Sequence, residues 1–139
     1  MKGYYPKMER RLRITIKALI LRDNKVLFVH TPGGSWELPG GKMEFGETPQ
    51  AVLCRELKEE LGITRVEIGR PISVFNIMTK FHDIARYHFC VVVFECRISK
   101  SRFYLSEEHD KWRWVTAAGV RMLKMESGYK RTVIKHLRS

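Results

Sequence analysis

No stretch of this chain approaches the roughly 20 consecutive apolar residues of a membrane-spanning helix. The longest apolar block, Phe89 to Phe94, is far too short. Cysteine is scarce. Cys54, Cys90 and Cys96 make an odd count of three with no Cys-x-x-Cys pair, which argues against a disulfide framework or a zinc site. Buried or half-buried packing thiols are expected instead. No repeat and no low-complexity linker interrupts the chain. The opening MKGYYPKMERRLR is basic and polar and has no apolar core of a secretory leader, so a cytoplasmic location is expected. Acidic side chains are the minority, 15 against 26 lysines and arginines, for a formal net charge of +11.

The charge is unevenly spread. Residues 1–25 carry eight basic and two acidic side chains, and residues 111–139 carry eight and one. Residues 41–63 reverse the balance, with three basic and five acidic. This suits an anionic partner such as a polyphosphate or a nucleic acid; a merely solvated basic surface has the same composition. At 139 residues the chain is read as one domain over 1–139, with 1–9 a flexible lead-in. That length can bury a core without disulfides or structural metal.

From Leu12 to Ile20 apolar residues alternate with Arg13, Thr15 and Lys17, the pattern of a half-buried strand. Asp23-Asn24 reads as a turn and Lys25 to His30 as the returning strand. Residues 31–35 form a loop and Trp36 to Leu38 a short strand. Thr48 is an N-cap, Pro49 fits the first helical position, and Gly62 stops the helix. Residues 66–79 and 84–98 read as two long strands. Phe89 to Phe94, apolar on both faces, belongs in the middle of a sheet. Two short helices are expected near 116–124 and 128–137. The mixture without strict alternation predicts an α+β layered domain with a mixed sheet.

The chemistry lies in residues 41–63, GKMEFGETPQAVLCRELKEELGI. With Leu53 at zero and about 100° per residue, Leu57 and Leu61 make an apolar stripe. Glu56, Glu59 and Glu60 share one sector of about 100° beside it, and Cys54 falls on the apolar side. Clustered carboxylates repel one another by a few tenths of a kcal/mol per pair. A hard cation reverses that, and Mg2+ takes carboxylate oxygens, keeps water, and is completed by substrate phosphates. An ordinary charged helix surface, with Arg55 and Lys58 as partners, is the plain alternative for such a string alone. Pro39-Gly40-Gly41 just before it reads as a turn, not a strand interior. It lets backbone approach a ligand, with carbonyls free to coordinate a metal.

Together these residues resemble the signature of the Nudix, or MutT-related, pyrophosphohydrolases: Gly-x5-Glu-x7-Arg-Glu-U-x-Glu-Glu-x-Gly-U, where U is bulky and aliphatic. Gly41, Glu47, Arg55, Glu56, Leu57, Glu59, Glu60, Gly62 and Ile63 fill it without departure. The approach Trp36-Glu37-Leu38-Pro39-Gly40-Gly41 is similar too. The resemblance implies an α/β/α sandwich, a mixed β-sheet between helices. It implies Glu56, Glu59, Glu60 and the Gly40 carbonyl as ligands of Mg2+, with Mn2+ able to substitute. Glu47 and Arg55 would brace the helix beside Gly41. Some members add a carboxylate from a later loop. Glu108 is the candidate here and Glu107 the fallback, against a plain solvated acid. Glu56 and the loop carboxylate both stay open as general base.

The implied activity is Mg2+-dependent hydrolysis of a diphosphate bond in a nucleoside diphosphate-linked substrate. A nucleoside triphosphate, oxidised ones included, giving the monophosphate and pyrophosphate, ranks first. Dinucleoside polyphosphates and the RNA 5′ end follow, the latter because of the basic termini. A noncatalytic nucleotide- or RNA-binding module is the reading from another class, and an isoprenyl diphosphate isomerase a third. For the base, Trp36, Phe75, Phe81 and Tyr87 offer aromatic faces. For phosphate, Arg13, Lys17, Lys80 and Arg86 offer charge. Each is more often core or solvated surface. His82, His88 and His109 carry no assignment, and a homodimer stays open.

Overall fold

The computed structural model describes residues 9–81 and 85–138. Strand β1 (Glu9–Arg22) turns into β2 (Lys25–His30) through Asp23 and Asn24, whose φ values of 50° and 63° are the left-handed pair of a tight hairpin. Two short strands follow, β3 (Trp36–Glu37) and β4 (Gly40–Lys42), then helix α1 (Pro49–Leu61). The long strands β5 (Glu67–Phe81) and β6 (Ala85–Arg97) lead to β7 (Lys111–Val115) and the helices α2 (Ala117–Val120) and α3 (Ser127–Leu137).

The sheet runs β3-β2-β1-β6-β5, with β4 beside β1 and β7 beside β2. It is mixed, as expected: β1 and β6 are parallel and β5 and β6 antiparallel. β6 lies between β1 and β5, which matches the two-sided apolar run from Phe89 to Phe94. Helix α1 covers one face, where Val52, Leu53, Leu57 and Leu61 meet Ile16, Ala18 and Ile20. The later helices cover the other, where Val120, Tyr129 and Val133 meet Leu19, Val91 and Val93. This double cover gives the layered α+β fold.

Several expectations are corrected. The middle of β1 is buried on both faces from Thr15 to Ile20, not on one. Its outer half behaves differently, since α1 does not reach Leu12 (68% exposed). Gly40 and Gly41 lie in a strand, because β1 leaves an edge open at Thr15–Lys17 and the backbone of β4 fills it. The helix expected over 116–124 is a single turn, Ala117–Val120. Strand β7 was missed, although Lys-Trp-Arg-Trp-Val alternates. Cys54 is exposed. The buried face of α1 is turned towards Val52 and Glu60, which swings Cys54 outward.

Candidate functional site

Helix α1 is specified at both ends. Thr48 Oγ1 accepts from Ala51 N at 3.1 Å, and Gly62, at φ 71°, donates its N–H to the last-turn carbonyls of Leu57 and Lys58. The loop before the helix is clamped to it by Arg55. The guanidinium donates to both carboxylate oxygens of Glu47 at 2.8 Å and to the carbonyl of Lys42 at 3.1 Å. Glu47 in turn accepts from Glu44 N at 2.8 Å. The Arg55 hydrogen bonds hold the Glu47 carboxyl down at about 2. Arg55 Nη1 also donates to Glu56 Oε1 at 2.8 Å and so aims that carboxylate.

Glu56 lies directly against Gly41. A Cβ on Gly41 would stand 2.3 Å from Glu56 Oε1, so any side chain there would push that carboxylate from its place. Glu60 is 2% exposed, and its Oε1 accepts from Gly40 N at 3.3 Å. Glu108 arrives from the loop before β7. Carboxylate oxygens of Glu56, Glu60 and Glu108 lie within 4.8 Å of one another. Burial and the neighbouring Glu56 carboxylate push the Glu60 carboxyl well above the usual carboxylate range, against the pull of Lys17 and the Gly40 N–H. Such a set of hard oxygen donors could hold a divalent cation.

The structure therefore gathers Glu56, Glu60 and Glu108 but not every expected ligand. The Glu59 side chain is 60% exposed and stands 3.8 Å from Arg55, outside that cluster. Glu107 is exposed as well.

The cluster opens into a cavity of about 520 Å³. Its floor is the sheet face that carries Thr15, Lys17, Ile77, Tyr87, Phe89 and Val91. The parallel register sets Thr15 beside Val91 and Lys17 beside Val93. Tyr87 and Phe89, two apart on β6, stack with centroids 5.7 Å apart and planes 7° from parallel. Glu37, His109, Glu126 and Tyr129 line the cavity as well. Lys17 Nζ pairs with Glu37 Oε1 at 3.7 Å. Burial alone would lower that ammonium; Tyr129, Glu37, Glu60 and Glu56 together raise it well above the ordinary lysine value. Glu37, resisting burial, is held at about 2 by Lys17 and His109.

Of the aromatic candidates, Tyr87 lines the cavity and Trp36 and Phe75 do not. Trp36 is buried in the core, edge-on to His30 at 4.8 Å, with Lys111 and Arg113 over its ring. Phe75 is edge-on to Tyr129 at 5.4 Å. Arg13 caps the Tyr87 ring at 6.0 Å and donates to the Leu12 carbonyl at 3.1 Å. Arg86 and His88 point to the opposite sheet face, since they alternate with Tyr87. The side chains of Lys80 and Phe81, and His82, lie outside the described residues. Sequence reasoning did not single out Phe89, Ile77, Glu126 or the Glu37–His109 pair. The alternation Tyr87, Phe89, Val91, Val93 was the available signal for the floor.

A family model described as NUDIX domain matches residues 11–137. A MutT-like protein of Streptomyces ambofaciens is 31% identical over 105 residues, covering 74% of this chain and 63% of that protein. An 8-oxo-dGTP diphosphatase of Proteus vulgaris is 42% identical over 60 residues, covering 40% of this chain and 54% of that protein. The chain thus spans less than two thirds of the length of these curated relatives. Among solved structures, a MutT protein from Methanosarcina mazei Go1 superposes with a TM-score of 0.75 at 25% identity, covering 94% of this chain and 95% of that one.

Proposed function

The chain belongs to the NUDIX family, and from that premise we propose that it is a divalent-cation-dependent hydrolase of a diphosphate bond in a nucleoside diphosphate-linked substrate. A nucleoside triphosphate, oxidised forms included, is the leading substrate, with the monophosphate and pyrophosphate as products. The observation that carries this reading is the meeting of Glu56, Glu60 and Glu108 at the mouth of an aromatic-floored cavity.

The donor set suits Mg2+, with Mn2+ as substitute, because it is all carboxylate oxygen and one member, Glu60, is buried. Glu56, Glu60 and Glu108 would hold the ion. The family resemblance adds Glu59 and the Gly40 carbonyl. When bound, the cation neutralises charge on phosphate oxygens and lowers the pKa of water.

The chain's own groups do the rest. Arg55 and Glu47 hold the loop and aim Glu56. Lys17, at the cavity floor, adds positive charge where phosphates would lie. Tyr87 and Phe89 offer stacked faces for a base. Water adds across the phosphoanhydride: one phosphorus gains the oxygen, and the bridging oxygen leaves on the other phosphate. Glu56 or Glu108 takes the proton. Glu108→Gln is expected to lower turnover less than the same change at Glu60, because Glu108 is the exposed member. If steady-state assays gave the reverse order, the loop carboxylate would be the principal base.

A second reading, the RNA 5′ end as substrate, is favoured by the basic groove on α3 lined by Lys130, Arg131, Lys135 and Arg138. One panel separates these cases. Canonical and oxidised nucleoside triphosphates, dinucleoside polyphosphates, nucleotide sugars and 5′-triphosphate RNA are each incubated with Mg2+ or with EDTA. Mg2+-dependent release from one class is the expected result and names the substrate group. Binding without release from any class would favour a noncatalytic module.

A further inference from the structure

Glu108 reaches the carboxylate cluster from outside the helix that carries the other two members. Glu56 and Glu60 stand on α1, whereas Glu108 lies in the loop between β6 and β7. Its carboxylate comes within 4.8 Å of theirs. Like charges at that range repel, and an exposed side chain is free to turn towards water. Among the described residues, Glu108 makes its hydrogen bond through the backbone, from its N–H to Ser106 Oγ at 3.3 Å, and its carboxylate has no partner. The place of that carboxylate is therefore set by the backbone on either side of it.

That backbone is pinned at three points. Before Glu108, Ser106 N donates to the Glu60 carbonyl at 3.2 Å. After it, Asp110 N donates to the His30 carbonyl at 3.1 Å, and Asp110 Oδ1 lies 2.7 Å from His30 Nδ1. The third point is His109, the buried residue of the 106–110 segment at 6% exposed. Its Nε2 is hydrogen bonded to Glu37 Oε2 at 2.8 Å. Glu37 is itself fixed. Its backbone pairs with Val29 of β2, and its other oxygen stands 3.7 Å from Lys17 Nζ on β1. One carboxylate thus ties the sheet to the residue next to Glu108.

We propose that Glu37 is a positioning residue for the cation site: acting through His109, it holds the 106–110 loop where Glu108 meets Glu56 and Glu60. This rests on the reading of those three glutamates as cation ligands, and it adds a residue outside their set. Glu37 touches neither cation nor substrate in this role. Its effect passes through Glu108.

The test is a double-mutant cycle read by Mn2+ titration of the protein without substrate. Glu37→Ala is expected to weaken Mn2+ binding about tenfold, the scale for loss of a residue that orients a ligand. Glu37→Gln keeps an oxygen that accepts from His109 and is expected to stay within about twofold of the native protein. Glu108→Ala also weakens binding, and adding Glu37→Ala to it should cost less than about twofold more, because the two changes remove one interaction. An equal loss in both backgrounds overturns the proposal, since Glu37 would then act on the site directly or through the general packing. So does native-like Mn2+ binding by folded Glu37→Ala or by Glu108→Ala. Each of these leaves the hydrolase reading standing, which the Mg2+-dependent turnover of the native protein tests separately. If the native protein binds no Mn2+, both fall. If Glu37→Ala does not fold, His109→Leu takes its place in the cycle. It keeps bulk in the buried position and deletes the bond to Glu37, and the same outcomes decide.

Discussion

Glu60→Gln is expected to lower Mg2+-dependent turnover by about a thousandfold or more, since cation stabilisation of a phosphoryl transition state is worth several kcal/mol. The shape of the side chain is kept, and its amide oxygen can still accept from Gly40 N. Only the charge is removed. The same change is expected to alter stability in the opposite direction when metal is withheld. In the folded chain burial and Glu56 raise the Glu60 carboxyl from 4.5 to about 9. The folded state therefore holds a proton that the unfolded chain has released. Its contribution is complete below about pH 4.5 and is lost progressively as pH rises towards about 9. Glutamine has no such proton to lose. In EDTA, the melting temperature of the native protein should fall across this window relative to that of the variant. Adding Mg2+ should raise the native protein's melting temperature and leave the variant's nearly unmoved. A well-folded variant with near-native turnover would take Glu60 out of the site.

The second large effect concerns two adjacent glycines with different reasons to be glycine. Gly40 has φ 138°, and an added Cβ would lie 2.1 Å from the Ile16 carbonyl oxygen and 2.8 Å from Lys17 Cα. Backbone of the paired strand cannot give way, so Gly40→Ala is expected to destabilise by about 3 kcal/mol or more. At Gly41 the obstacle is the end of a flexible side chain, the Glu56 carboxylate. Gly41→Ala is expected to unfold within about 1 kcal/mol of the native protein. It should nevertheless lose about a hundredfold in turnover, with weaker metal binding, because the displaced carboxylate leaves its place in the cluster. Urea unfolding paired with metal titration reads the two effects separately. Metal affinity unchanged in Gly41→Ala would mean that Glu56 does not need its seat on that glycine.

Much of the site was legible because it is local. The spacing of Glu56 and Glu60 on one helix, the caps at Thr48 and Gly62, and the reach from Arg55 back to Glu47 are all consequences of helical geometry over a few turns. Alternation in β1 and the two-sided run in β6 likewise placed the sheet. The misreadings share a cause. Cys54, expected on the apolar side, faces outward because a helical wheel gives relative angles but not the direction of the partner sheet. Trp36 was grouped with base-gripping aromatics, yet the pairing of β3 with β2 sets it against His30 in the core.

Other features required the folded chain. Glu108 joins the cluster because its loop is pinned to α1, where Ser106 N donates to the Glu60 carbonyl at 3.2 Å, and to β3, where His109 meets Glu37. Phe89 and Tyr87 become a floor through the parallel pairing of β1 with β6. Gly40 and Gly41 become a strand because β1 offers them an open edge. Each of these contacts joins segments far apart in the chain. Periodicity and capping act over a few residues, so they specify a carboxylate-bearing helix from its own letters. Which loop completes it, and which face of the sheet receives the substrate, depends on long-range strand register and on the burial that packing imposes.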